Sequence, residues 1–118
     1  ILEPTLLTSV PESEPLVCEE AFAPVAILEK YKDFRSVLAK VNRSDYGLQA
    51  AVFTSNHQLM EQAIAELEVG GVIFNEVSAF RSDLMPYGGV KGSGLGREGV
   101  RSAMEEFSEK KMVVEYRG

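Results

Sequence analysis

The sequence predicts an α/β fold in three layers, a mostly parallel sheet covered by helices. Two observations carry this. Short apolar runs alternate along the chain with stretches whose apolar residues recur at helical spacing. Strand and helix in alternation are the mark of parallel strands joined by helical crossovers. In such sheets, loops at the C-terminal strand ends hold ligands.

Thr5-Leu6-Leu7-Thr8-Ser9-Val10 reads as a first strand, closed by Pro11, and Val25-Ala26-Ile27-Leu28 as a second, after Pro24. Phe34, Val37, Leu38 and Val41 form the apolar stripe of a helix, with Asp33 as its N-cap. Tyr46-Gly47 reads as a break, and residues 48–54 as a strand. Ser55-Asn56 then caps a helix with the stripe Met60, Ala63, Ile64 and Leu67, ended by Gly70-Gly71. Val72-Ile73-Phe74 is a strand running into Asn75. Residues 76–96 read as irregular and glycine-rich. Val100, Ala103, Met104 and Phe107 mark a third helix, and residues 111–116 alternate with the period of a strand.

At 118 residues the chain has the length of one domain, and such a chain buries roughly two-thirds of its unfolded surface. With 45% apolar and 25% charged residues, disorder is excluded as a description of the whole. The net charge of -6, with no basic run, argues against nucleic acid and against anionic membrane surfaces. No apolar stretch approaches a membrane span, and the opening residues do not read as a signal peptide. One cysteine, Cys18, and one histidine, His57, cannot make a structural zinc site, so no metal is expected. A single cysteine fits a reducing, cytoplasmic location. The chain opens on Ile1-Leu2-Glu3-Pro4 with no initiator methionine, which reads as a cut inside a longer protein.

Residues 85–99 carry six glycines in fifteen positions, enough for positive φ and close backbone approach. Within them Gly94-Leu95-Gly96-Arg97-Glu98-Gly99 is a literal G-x-G-x-x-G. A dinucleotide fingerprint needs a strand immediately before it, and here polar loop precedes it, so the expected role is to cap and position the third helix. Cys18 is flanked by Glu19 and Glu20, which disfavour a thiolate, and it reads as a small half-buried residue rather than a nucleophile. His57 is expected to be exposed. Arg101 and Glu105 form an i, i+4 surface pair. On physical grounds alone Glu19 and Glu20 are surface acids, although an acid beside an aromatic and a proline can grip a sugar hydroxyl.

The order of these motifs resembles the aldehyde dehydrogenase superfamily across nearly the whole chain, matching the last quarter or so of such an enzyme. A Pro4-Thr5 strand is followed by Glu19-Glu20-x-Phe22-x-Pro24-Val25, Tyr46-Gly47-Leu48 and Ala51-Val52-Phe53-Thr54. Then come the strand ending in Asn75, Pro86-Tyr87-Gly88-Gly89-x-Lys91, and Ser93-Gly94-x-Gly96-Arg97-Glu98. Ala23 departs from the pattern, where the family usually has glycine, which bears on the backbone beside Phe22.

The resemblance implies an NAD(P)-dependent oxidation of an aldehyde to an acid through a thiohemiacetal. Glu20 matches the glutamate that accepts hydrogen bonds from the nicotinamide ribose of NAD or NADP. Phe22 matches the aromatic beside the nicotinamide end, and Tyr87 an aromatic of the aldehyde tunnel. Asn75 would hold a loop. The resemblance places the nucleophilic cysteine, the general base and the oxyanion-stabilising asparagine before Ile1, so no catalytic residue is expected within the chain and the chain alone is expected to be inactive. Arg81, in the loop leading to Tyr87, is a candidate for an anionic group on a short aldehyde; the alternative is a surface pair with Asp83. The last strand, about 110–116, would serve oligomerisation, giving a homo-oligomer. The alternative to an enzyme segment is a free-standing, non-catalytic α/β binding or interaction domain.

Overall fold

The computed structural model describes residues 1–118. Strands and helices follow in the order β1 Thr5–Thr8, α1 Pro15–Cys18, β2 Val25–Leu28, α2 Phe34–Asn42, β3 Tyr46–Gly47, β4 Gln49–Val52, α3 His57–Glu66, β5 Gly71–Phe74, β6 Val90–Lys91 and α4 Val100–Glu106. The class is α/β with parallel pairing, as expected, but the strands form three separate two-stranded sheets. β1 pairs with β2 and β4 with β5, both parallel; β3 pairs with β6 antiparallel.

Local chemistry explains most boundaries. Asp33 caps α2: its Oδ2 accepts from the Ser36 amide at 2.7 Å. Asn56 caps α3 by accepting from the Gln58 amide at 2.9 Å. β1 stops at Thr8, two residues before the expected end, because Ser9 turns into the left-handed region with φ 57°. Asn75 closes β5 with φ 58°, its amide donating to the Val52 carbonyl and its Oδ1 accepting from the Thr54 amide. The side chain thus ties together the C-terminal ends of β4 and β5.

Five elements depart from expectation. Tyr46-Gly47 is the strand β3 rather than a break, and its partner β6 lies inside the stretch expected to be irregular. The short helix α1 has no periodic signal, being one turn begun by Pro15. α3 ends at Glu66, not at Gly70-Gly71. Gly70 serves close approach instead: a Cβ there would lie 1.7 Å from the Gly88 carbonyl oxygen. Residues 111–116 form no strand and are exposed. A strand needs a neighbour for its N–H and C=O groups, and none lies alongside.

The expected degree of burial is not reached. Leu38 and Ala63 are the buried apolar side chains. The accessible surface is 9833 Å², against about 6,300 Å² for a compact protein of this mass. The radius of gyration is 19.0 Å, against about 13.5 Å for a compact chain of this length. α3 packs on β5 and α2 on α3, and Leu6, Phe53, Ile64, Val100 and Met104 stay exposed. No helix is long and apolar enough to cross a membrane.

Candidate functional site

The glycine-rich loop is held at several points. Gly88 passes against Gly70, and the Ser93 hydroxyl accepts from the Gly47 amide at 2.9 Å. Lys91 Nζ donates to the Asn42 carbonyl at 2.6 Å and pairs with Glu68 at 3.1 Å. Arg97 donates to the Gly89 and Gly96 carbonyls, 2.9 and 2.7 Å away, closing the loop on itself. Gly94, Gly96 and Gly99 all sit at positive φ, which is why this stretch uses glycine. At its start, Tyr87 and Glu98 exchange two backbone hydrogen bonds across an isolated antiparallel bridge.

That bridge aligns two side chains with a third. The Arg81 guanidinium carbon lies 4.3 Å from the centroid of the Tyr87 ring. Its Nη2 donates to Glu98 Oε2 at 2.9 Å. The partner of Arg81 is therefore Glu98, seventeen residues away, and not Asp83. No local sequence signal points to Glu98 in this role, because the contact is made by the loop folding back.

Glu20 is exposed on the segment between β1 and β2 and lines an open groove of about 610 Å³ with Val41, Tyr46, Gly47, Leu48 and Ser93. Tyr87 lines an adjoining groove with Gly88 and Arg97, and Leu48 and Ser93 belong to both walls. Phe22, 92% exposed, lines neither. The four candidate residues thus fall into one pair in contact, Arg81 and Tyr87, one acid on the neighbouring groove, and one aromatic projecting alone.

Cys18 is exposed rather than half-buried, and its thiol donates to the Glu12 carbonyl at 3.1 Å. His57 is exposed, and Arg101 pairs with Glu105 at 3.0 Å, both as expected. No set of His, Cys, Asp and Glu converges as a metal ion would require. The ionic cluster near Glu20 is Glu12, Glu29, Lys40 and Arg43. The hydrogen bond and charge of Lys40 hold the Glu12 carboxyl below its ordinary range. Hydrogen bonds to Glu29 and Glu12 hold Lys40 above its own.

The chain resembles known proteins over most of its length. The chain is 47% identical over 111 residues to 3-sulfolactaldehyde dehydrogenase of Priestia megaterium, covering 94% of this chain and 23% of that protein. It is 43% identical to lactaldehyde dehydrogenase of Methanococcus vannielii, over 97% of this chain and 24% of the relative. The chain thus spans about a quarter of the length of the curated relatives it matches. Among solved structures, aldehyde dehydrogenase 21 of Physcomitrella patens, in complex with succinate, superposes with a TM-score of 0.87 at 43% identity. That match covers 90% of this chain and 22% of the other. Glyceraldehyde-3-phosphate dehydrogenase of Methanocaldococcus jannaschii, complexed with NADP, gives 0.82 at 43% identity over 90% of this chain and 23% of the other. The model of the aldehyde dehydrogenase family matches residues 1–113, and the chain belongs to that family.

Proposed function

We propose that this chain serves an NAD(P)-dependent oxidation of an aldehyde to a carboxylic acid, supplying part of the cofactor clamp and one wall of the aldehyde tunnel. The carrying observation is the shared wall at Leu48 and Ser93 between the groove of Glu20 and the groove of Tyr87. Hydride transfer requires the donor carbon and the acceptor ring within about 3–3.5 Å. Two adjoining clefts, one with a sugar-gripping acid and one with an aromatic wall, suit that demand.

The residues present fit the cofactor by their chemistry. The exposed Glu20 carboxylate can accept hydrogen bonds from both hydroxyls of a ribose, and Phe22 offers an exposed aromatic face two residues on. Related structures contain NADP, as in the Methanocaldococcus enzyme, or NAD+, as in betaine aldehyde dehydrogenase of Staphylococcus aureus. The reaction class is oxidation through a thiohemiacetal on a cysteine other than Cys18, with a bound nicotinamide as hydride acceptor and water releasing the acid. Here Glu20 orients the ribose, and Tyr87 shields the aldehyde from solvent.

The substrate we infer is a short aldehyde carrying an anionic group. Arg81 stands against Tyr87, and a guanidinium binds carboxylate or sulfonate in a forked geometry. The names of relatives support this class: 3-sulfolactaldehyde, sulfoacetaldehyde and aspartate-semialdehyde dehydrogenases. The exposed residues near 110–116 serve assembly with a second copy in this reading. The test of the cofactor role is Glu20→Gln in the full-length enzyme, which stays folded but binds cofactor more weakly and transfers hydride more slowly. A loss of about 1–3 kcal/mol is expected for hydrogen bonds to a carboxylate. Wild-type rate and affinity together would return Glu20 to the status of a surface acid.

A further inference from the structure

We propose that Lys40 is a positioning residue for Glu20, acting through Glu12. The inference rests on the reading of Glu20 as the ribose acceptor and extends it to what holds that carboxylate in place.

Glu20 lies on the segment of residues 9–24 that crosses from β1 to β2. The ion pairs from this segment to the body of the chain all run through Glu12. Lys40 Nζ stands 3.0 Å from Glu12 Oε1, and Arg43 Nη2 stands 3.6 Å from Glu12 Oε2. The same Lys40 ammonium bonds the carboxylate of Glu29, which directly follows β2. One lysine on α2 thus joins the crossing segment, the end of β2 and the helix.

The strain path from Glu12 to Glu20 is short. The Cys18 thiol donates to the Glu12 carbonyl at 3.1 Å, so the end of α1 is tied to the residue that Lys40 holds. Glu14 donates to the Pro11 carbonyl at 3.1 Å, and the amides of Cys18 and Glu19 donate to the Glu14 and Pro15 carbonyls at 3.3 and 2.7 Å. Residues 11–19 are thus linked by a continuous run of hydrogen bonds, and Glu20 is the next residue. At the other end, α2 is fixed. Leu38 is buried, and Asn42 bonds the Glu66 carbonyl and the Glu68 amide. Val41, next to Lys40, lines the same groove as Glu20. The lysine therefore registers the acid against the wall it faces.

A carboxylate on an untied loop must be ordered when the cofactor binds, and that ordering reduces affinity. The Lys40–Glu12 pair does the ordering in advance. In the full-length enzyme, Lys40→Met and Glu12→Gln should each weaken NAD(P) binding about two- to fivefold, the range an exposed ion pair supplies. The double variant should be no weaker than the weaker single one, because both break the same tie. The KM for the aldehyde should stay within about twofold of wild type, and Lys40→Arg should restore cofactor affinity. In a Glu20→Gln background, Lys40→Met should add nothing. Glu12 is exposed, so Glu12→Gln carries the test if Lys40→Met folds poorly.

Cofactor binding measured by calorimetry decides the matter. Unchanged affinity in a folded Glu12→Gln variant overturns the proposal, as does an equal loss for cofactor and aldehyde. If Glu20→Gln weakens binding while Lys40→Met and Glu12→Gln do not, the positioning role alone is wrong. If Glu20→Gln is itself without effect, the ribose role is wrong and the positioning role falls with it.

Discussion

The Arg81 guanidinium carbon stands over the Tyr87 ring, 4.3 Å from its centroid, while Glu98 accepts its Nη2 hydrogen bond at 2.9 Å. The contact combines cation–π attraction with a charge-assisted hydrogen bond, so the guanidinium is oriented before any ligand arrives.

From this follows a specificity test. Arg81→Ala in the full-length enzyme should lower kcat/KM for an anionic aldehyde about 10- to 100-fold, the value of one or two charge-assisted hydrogen bonds. For a neutral aldehyde of the same length the loss should stay near threefold or less, the share of the lost stacking on Tyr87. Steady-state kinetics on the two substrates checks it; an equal effect on both removes the anion-binding role.

The isolated 118-residue chain should not turn over aldehydes. Cys18, its one thiol, is exposed and donates to the Glu12 carbonyl rather than to a base. Loss of a nucleophile or base each costs orders of magnitude in rate. NADH formation by the purified chain, above a blank, would contradict this.

Gly70→Ala should destabilise the protein by about 1–3 kcal/mol, as overpacking does in tight sites. The new Cβ would fall 1.7 Å from the Gly88 carbonyl oxygen, a backbone atom that cannot swing away. Thermal unfolding of the full-length variant reads this directly. An unchanged Tm would mean that the glycine loop does not rest on this turn.

The isolated chain should self-associate through its tail. Val113, Val114 and Tyr116 are 78%, 83% and 91% exposed, with unpaired backbone groups beside them. Two-fold pairing of tails is the simplest closure. Sedimentation should show dimers at high concentration, and Val114→Lys should shift them to monomer. A wild-type monomer under those conditions would sink the idea.

The elements that could be read from residue order alone are those decided by neighbours in the chain. Asp33 and Asn56 cap α2 and α3 because a side-chain oxygen reaches an amide two or three residues on. β2 and β5 follow from compact apolar runs. The order of the motifs was enough to indicate the family.

What tertiary structure decided lies at long range. β3 and β6 are two residues each, and they exist only because Tyr46 meets Lys91. Gly70 has the sequence position of a helix stop, and the fold uses it as a crossing point with Gly88. Arg81 has Asp83 nearby in sequence but is taken by Glu98, because the loop returns through the Tyr87–Glu98 bridge. The same long-range pairing is missing for residues 111–116, whose alternation is a strand pattern without a strand. Periodicity states which faces are apolar. Whether a face is covered, and by what, depends on segments brought together across tens of residues, and no local spacing encodes that.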